Sequence, residues 1–218
     1  MTVTRGLFLT LEGAEGVGKS TNIEFITEYL ESKSIEYVLT REPGGTLLAE
    51  KIRDLLLDMH EEDMSELTEL LLVFAARAQH IDKVIEPALA QGKWVVCDRF
   101  TDATFAYQGA GRGQSVQKIE LLQSMVQDTL RPDLTIILDL DPQIGMDRAN
   151  KRGELDRFEK EQQSFFRLVR QAYLDIAKAE PERCRVIDAS KPLDQVRLDL
   201  LAVLERGLAK LDQRRNSL

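Results

Sequence analysis

Five short apolar runs rich in β-branched residues recur along the chain, and segments with helical periodicity separate them. The runs lie at 7–12, 37–40, 94–97, 134–140 and 185–188. They do not alternate with polar residues, which is the pattern of strands buried on both faces in a parallel sheet. The predicted fold class is therefore α/β, a three-layer fold in which helices cover both faces of a five-stranded parallel sheet.

Helical spacing is clearest in four segments, each with apolar residues three or four positions apart. These segments are 20–33, 67–89, 162–178 and 193–211. The last should close the core after the fifth strand, and the polar residues 212–218 are expected to fray. No low-complexity linker and no internal repeat interrupts the chain, so a single domain over 1–218 is predicted.

Composition limits the partners of such a domain. The 218 residues are 43% apolar, carry a formal net charge of −8 and have a sequence pI of about 5.0. The negative charge argues against nucleic-acid and membrane-surface binding, so phosphate must be held by a local positive pocket. No apolar run approaches the roughly 20 residues that cross a bilayer, and no signal peptide is visible, so a cytoplasmic location is expected.

The cysteines and histidines show no metal-ligand or redox spacing, so a structural metal is not expected. Ordinary packing or surface positions are predicted for all four of these residues. They are Cys97, Cys184, His60 and His80.

A glycine-rich segment directly follows the first predicted strand and fits the Walker A pattern of a phosphate-binding loop, the P-loop. Backbone N–H groups of such a loop converge on phosphate oxygens, and the next helix adds its positive N-terminal end. Lys19 would add a point charge, and Ser20, assisted by Thr21, would offer a hydroxyl to Mg²⁺. ATP and Mg²⁺ are the predicted cofactors. The predicted cofactor-binding residues are Gly13, Ala14, Glu15, Gly16, Val17, Gly18, Lys19, Ser20 and Thr21.

Asp98 and Arg99 end the third predicted strand. A carboxylate beside the P-loop strand is placed to hold the Mg²⁺ shell together with Ser20, and the arginine would bridge the donor and acceptor phosphates of a phosphoryl transfer. The alternative is an exposed ion pair at the end of a strand. No Asn-Lys-x-Asp motif for guanine is present, because Arg152 and Gly153 follow Asn150-Lys151. A kinase is therefore favoured over a GTPase.

Basic residues cluster just before the third predicted helical segment, 162–178. They are Arg148, Lys151, Arg152 and Arg157. We predict a lid at about 148–158 that closes over ATP and excludes water, the alternative being a solvated charged surface.

Two glycine-bearing segments, 42–46 and 109–113, follow strands at their carboxyl ends, where parallel sheets bind ligands. They are candidate substrate loops.

Further motifs extend over most of the chain. They are Thr-Arg-Glu-Pro-Gly-Gly-Thr at 40–46, Phe-Ala-Ala-Arg at 74–77, Asp-Arg-Phe at 98–100, Ala-Tyr-Gln-Gly at 106–109, Arg-Pro-Asp-Leu at 131–134 and Arg-Gly-Glu-Leu-Asp-Arg at 152–157. With the P-loop, they closely resemble bacterial thymidylate kinases. The resemblance implies a nucleoside monophosphate kinase fold, a homodimer, and transfer of the γ-phosphoryl group of ATP to thymidine monophosphate (dTMP), giving dTDP for dTTP biosynthesis.

The resemblance also implies a role for each matching residue. Arg53 and Arg99 would hold the acceptor phosphate. Glu15 would lie near the sugar 3′-hydroxyl, and Tyr107 would lie against C2′. Around the base, Phe74 would stack on the thymine face, Arg77 would donate to a base carbonyl, Thr104 would meet the ring N–H, and Gln108 would close over the same pocket. Because the P-loop contains no arginine, the resemblance is to the type in which a lid arginine, here Arg152, acts in catalysis. The implied catalytic residues are Lys19, Asp98, Arg99 and Arg152.

Two alternatives remain at this point. One is a kinase for another nucleoside monophosphate or a small phosphorylated metabolite, which would differ in the base pocket. The other is a regulatory P-loop ATPase, which would hydrolyse ATP without any acceptor.

Overall fold

Five parallel strands form one sheet in the order β2-β3-β1-β4-β5. The structure is a computed structural model and describes residues 4–59, 62–150 and 156–216. The strands are β1 Phe8–Glu12, β2 Tyr37–Arg41, β3 Trp94–Asp98, β4 Leu134–Asp139 and β5 Cys184–Asp188. Each strand begins and ends within one residue of the bounds predicted from the sequence. The predicted α/β class is therefore confirmed.

Helices connect the strands. They are α1 Lys19–Ser32, α2 Leu47–Leu57, α3 Glu66–His80, α4 Glu86–Ala90, α5 Thr101–Thr104, α6 Val116–Gln127, α7 Pro142–Asn150, α8 Gln163–Ala179 and α9 Leu193–Asn216, with π-helical turns at Ile81–Ile85 and Phe105–Gly111. None of the helices in the described ranges is long and apolar enough to cross a membrane.

Alternate residues of β1 face two different cores, because successive side chains of a strand point to opposite faces of the sheet. Leu9 and Leu11 pack in a core with residues of α1, α8 and α9. Phe8 packs on the other side with Ile85 and Leu89. Helices therefore cover both faces of the sheet, as predicted.

The register of the central strands places the P-loop next to Asp98. Leu11 of β1 lies opposite Asp98 of β3, and Arg41 of β2 lies opposite Asp98 on the other side. The segments that follow these three strands therefore leave the sheet at the same edge, where the first candidate substrate loop and the P-loop meet.

Three predicted elements differ from the structure. The segment 67–89 is divided by a π-helical turn after His80, because Pro87 has no N–H and its ring would press on the carbonyl four residues earlier in an α-helix. The expected loop at 109–113 begins within a second π-helical turn. The expected fraying at 212–218 is wrong up to Asn216, because α9 continues through a segment without Gly or Pro.

Candidate active site

A cavity of about 620 Å³ opens at the edge of the sheet where β1, β2 and β3 end. Its walls include the P-loop after β1, the segment after β2, the segment after β3 and residues of the second π-helical turn. From the predicted site, the lining includes Glu15, Gly16, Val17, Gly18, Lys19, Ser20, Thr21, Arg53, Arg77, Asp98, Arg99, Thr104, Tyr107 and Gln108. The cavity is the pocket in which donor and acceptor would meet.

The P-loop has the backbone geometry that a phosphate cradle requires. Gly16 and Gly18 have φ angles of +70° and +90°, which L-residues with a side chain rarely adopt. Helix α1 begins at Lys19 with neither a side-chain cap nor an acidic residue in its first turn. The first N–H groups of α1 are therefore available to an anion, and the positive end of the helix favours one.

Lys19 lies among several charged groups. Burial first, and the neighbouring Arg99 guanidinium second, lower the pKa of Lys19, while Asp98, Glu15 and Glu12 act in the opposite direction. An ammonium that has lost hydration and faces another cation gains strongly from an incoming phosphate. This is consistent with the predicted role of Lys19 at the donor phosphates.

Asp98 has a buried carboxylate oxygen, Oδ1, for which the described residues provide no hydrogen-bond partner. Buried polar atoms are nearly always paired, so an oxygen of this kind fits a bound cation or its water. No group of three His, Cys, Asp or Glu side chains within 4–59, 62–150 and 156–216 could hold a metal. A site with one carboxylate and one hydroxyl suits Mg²⁺, which keeps waters and takes oxygens from phosphates.

Arg99 adopts a positive φ of 69° directly after Asp98, which turns its side chain back over the P-loop. Its guanidinium donates to the carbonyl of Gly13 at 3.0 Å, to the Tyr107 hydroxyl at 2.7 Å and to Glu15 Oε1 at 2.6 Å. Burial by itself lowers the pKa of Arg99, but Glu15, Tyr107, Tyr173 and Asp98 together outweigh burial and raise the pKa well above its ordinary value. The guanidinium is therefore a permanent cation beside the P-loop.

Arg53 is a further cationic group that lines the cavity. It donates to the carbonyl of Pro43 at 2.9 Å. Burial lowers the pKa of Arg53, and the guanidinium groups of Arg41 and Arg99 lower it further, while Glu50 and Asp156 act in the opposite direction. Arg41, to which the sequence assigned no role, also lines the cavity. Guanidinium groups that repel one another gain from an anion placed between them.

A second group of buried polar side chains lies deeper in the cavity, where the base is predicted. Arg77 donates through Nη2 to the Thr104 hydroxyl at 2.9 Å, and Gln108 donates to buried Glu69 at 2.8 Å. Phe74 is 2% exposed and packs against the Arg77 guanidinium, whose central carbon lies 4.8 Å from the centre of the Phe74 ring. Phe74 does not line the cavity, whereas Phe100 does. Contact between Phe74 and thymine therefore stays a prediction.

The predicted lid lies between α7 and α8. Arg148 lines the cavity, whereas Lys151 and Arg152 lie outside the described residues. Arg157 does not line it: it donates to Glu69 at 2.6 Å and to the carbonyl of Leu56 at 2.8 Å. The expectation that Arg157 faces ATP therefore needs correction, because the buried Glu69 carboxylate requires a cation.

The sequence also missed Glu42 and His80. Both are buried, and each is hydrogen-bonded in a network that reaches Arg77. Glu42 falls within the motif at 40–46, which is the only sequence signal for its importance. Nothing in the spacing of His80 distinguished it from a histidine in ordinary packing.

A parallel sheet in this order, a P-loop after β1, and arginines between that loop and a second polar pocket define a P-loop kinase of the nucleoside monophosphate kinase class. The family model for thymidylate kinase matches residues 11–200. The chain belongs to the thymidylate kinase family.

Individual relatives agree with this assignment. A thymidylate kinase of Ectopseudomonas mendocina is 59% identical over 199 residues, which is 91% of this chain and 95% of the relative. One from Pseudomonas savastanoi is 58% identical over 203 residues, covering 93% and 97% of the two chains. The crystal structure of thymidylate kinase from Ehrlichia chaffeensis is similar with a TM-score of 0.74 and 39% identity, over 92% of this chain and 99% of that one.

Proposed function

We propose that the chain transfers the γ-phosphoryl group of Mg-ATP to dTMP, giving dTDP and ADP, by direct in-line transfer without a covalent enzyme intermediate. The observation that supports this most is the continuity of one cavity from the P-loop, past Arg99 and Arg53, to the polar group around Arg77. A nucleotide acceptor needs a base pocket and a phosphate site on the same path, and a simple ATPase needs neither.

The donor side consists of the P-loop and its metal residues. The N–H groups of the loop and Lys19 hold the β- and γ-phosphates, and Ser20 and Asp98 would hold Mg²⁺. The ion, when bound, neutralises charge on the phosphate oxygens. A general base is not needed, because the attacking oxygen of the acceptor phosphate is already ionised at neutral pH. The contribution of the protein is therefore positioning and charge neutralisation.

The acceptor side consists of Arg53, Arg99 and the base pocket. Arg53 and Arg99 would orient the monophosphate, and Arg77 with Thr104 would pair with the polar edge of the pyrimidine. Tyr107 is buried and its hydroxyl is already bonded to Arg99 and Glu15. A rigid ring of this kind beside the sugar would exclude a 2′-hydroxyl that it cannot pair.

The test is a coupled assay of ADP release with Mg-ATP and a panel of acceptors. It compares dTMP with the uridine, deoxycytidine and guanosine monophosphates and with no acceptor. Turnover that depends strongly on dTMP supports the proposal. Equal turnover without an acceptor would instead support the regulatory ATPase, and preference for another monophosphate would move the assignment within the same class.

A homodimer is part of the proposal, supported by exposed apolar side chains on two helices that contact each other, α3 and α6. They are Leu67, Leu71, Leu121 and Met125, each between 47% and 73% exposed. Light scattering after gel filtration should give twice the chain mass of 24.7 kDa, and Leu71→Glu should reduce it to the monomer. The cytoplasmic location expected from the sequence stays a prediction.

A further inference from the structure

A chain of hydrogen bonds that begins on strand β2 holds Arg77 of helix α3, and its bonds to Glu42 are buried. Glu42, just beyond β2, accepts from Arg77 Nε through Oε2 at 2.7 Å. Its other oxygen, Oε1, lies 3.0 Å from His80 Nδ1, and His80 Nε2 lies 2.6 Å from the Thr40 hydroxyl. Arg77, Glu42 and His80 are 1%, 4% and 0% exposed. Water is therefore excluded from the network, and each member depends on the others for its hydrogen bonds.

The chemistry of the groups fixes the direction of these bonds. The Glu42 carboxylate, paired with an arginine, can only accept, so His80 Nδ1 carries a hydrogen and donates. In the neutral ring, Nε2 then accepts from the Thr40 hydroxyl. The ring packs closely against Gly45, where an added Cβ would lie 2.5 Å from its Cδ2 and Nε2 atoms, so only glycine fits at that position. His80 thus fixes one carboxylate oxygen of Glu42, and the other is directed at Arg77.

The result is a guanidinium held on three sides. Nε donates to Glu42, and Nη2 donates to the carbonyl of Phe100 at 3.2 Å and to the Thr104 hydroxyl at 2.9 Å. The rings of Phe74 and Phe100 lie 4.8 and 5.0 Å from its central carbon. The remaining nitrogen, Nη1, is buried and has no hydrogen-bond partner in the described structure. A buried donor left unpaired is costly, and Arg77 lines the cavity, so Nη1 is the atom that a ligand would satisfy.

We propose that Glu42 and His80 are positioning residues for base selection, which hold Arg77 Nη1 where it pairs with the 4-carbonyl of thymine and opposes the 4-amino group of cytosine. This inference rests on the proposed function, because it requires a pyrimidine monophosphate in the cavity. A site that is built to pair one group discriminates strongly against an analogue that presents the opposite polarity. The discrimination therefore depends on how rigidly Nη1 is held, and that rigidity comes from Glu42 and His80.

The experiment measures kcat/KM for dTMP and for deoxycytidine monophosphate with two histidine variants that remove different bonds. In His80→Gln the side-chain amide replaces Nε2 and keeps a partner for Thr40, but the bond to Glu42 is lost. In His80→Asn the amide nitrogen replaces Nδ1 and keeps the bond to Glu42. We expect His80→Gln to lower kcat/KM for dTMP about tenfold while changing that for the cytosine substrate little. His80→Asn should retain most of the preference for dTMP.

Glu42→Gln supplies a second variant that keeps the shape of the network. It puts a neutral amide oxygen in place of the carboxylate that faces Arg77, so one hydrogen bond remains but the ion pair is lost, and the preference for dTMP should fall by about tenfold. Asp139→Asn is the matched control, because Asp139 also accepts two bonds from an arginine, Arg170, at 2.7 and 2.9 Å, and does not line the cavity. It should leave the ratio of the two kcat/KM values unchanged.

The possible failures can be told apart. If wild type shows no preference for dTMP, the proposed function fails. Suppose that wild type prefers dTMP, but that His80→Gln and Glu42→Gln lower kcat/KM for both substrates by the same factor. The two residues then serve stability alone, and the inference is overturned. An equal loss of preference in His80→Asn and His80→Gln would also overturn it, because the bond to Glu42 would then not matter.

Discussion

The buried carboxyl group of Glu12 makes the stability of the fold depend on pH. Glu12 ends β1 and is 0% exposed. Phe100 N–H donates to its Oε1 at 2.7 Å, and the Tyr173 hydroxyl lies 2.8 Å from Oε2. Burial first, and the charge of Asp102 second, raise the pKa of Glu12 from its ordinary value of 4.5 to about 8. At neutral pH the folded protein therefore keeps this group protonated.

The shift fixes the sign and the size of the effect. Between pH 4.5 and about 8 the unfolded chain releases the Glu12 proton and the folded chain keeps it. The free energy of unfolding therefore falls as pH rises through this window, by up to about 1.4 kcal/mol per pH unit. From pH 6 to pH 8 the expected loss is about 2 kcal/mol, since the slope decreases as the folded group begins to ionise.

The assay is urea unfolding followed by the fluorescence of Trp94, the single tryptophan, which is 1% exposed. Glu12→Gln is the comparison, because its amide matches the protonated carboxyl in shape and can still pair with Phe100 N–H and the Tyr173 hydroxyl. The stability of wild type relative to this variant should fall by about 2 kcal/mol between pH 6 and pH 8, with equal m-values. A difference that does not change with pH would refute the reasoning.

Three further changes test the proposed site. Arg53→Ala should raise KM for dTMP by about tenfold to a hundredfold and leave KM for ATP unchanged in steady-state kinetics, because only the acceptor phosphate loses a charged partner. Asp98→Asn should raise the Mg²⁺ concentration for half-maximal rate in a metal titration; an unchanged titration would remove Asp98 from the metal site. Arg152→Ala, a prediction from the sequence, should lower kcat more than it raises KM, and an unchanged kcat would contradict its catalytic role.

Local patterns in the sequence were sufficient to predict the sheet and the donor half of the site. A strand buried on both faces is mostly apolar over its length, so its bounds are visible without any knowledge of its neighbours. The P-loop is contiguous, so Gly16, Gly18 and Lys19 carry their geometry in eight successive residues. Asp98 could be placed because parallel strands bring their carboxyl ends to one edge of the sheet.

The contacts that hold the acceptor half could not be predicted in the same way. Glu42 and Arg77 are 35 residues apart, and Glu69 and Arg157 are 88 apart. Nothing in the spacing of such residues indicates that a carboxylate on one element will be buried against an arginine on another. Arg157 shows the consequence, because a basic residue in a predicted lid is equally suited to ATP and to a buried glutamate, and only the packing of α3 decides between them.

The same contacts explain how a chain with a net charge of −8 holds an anionic substrate. Arg77 and Arg157 each face a buried carboxylate, so their charges are compensated and they serve to position other groups. Arg99 donates to two groups of the P-loop, the carbonyl of Gly13 and the carboxylate of Glu15, so its charge is also partly compensated. Arg53 differs, because two other guanidinium groups lower its pKa and its bond to Pro43 brings no negative charge. Of these four arginines, Arg53 is therefore the one with no carboxylate at hydrogen-bonding distance among the described residues, and the acceptor phosphate should dock there before it competes with Glu15 for Arg99.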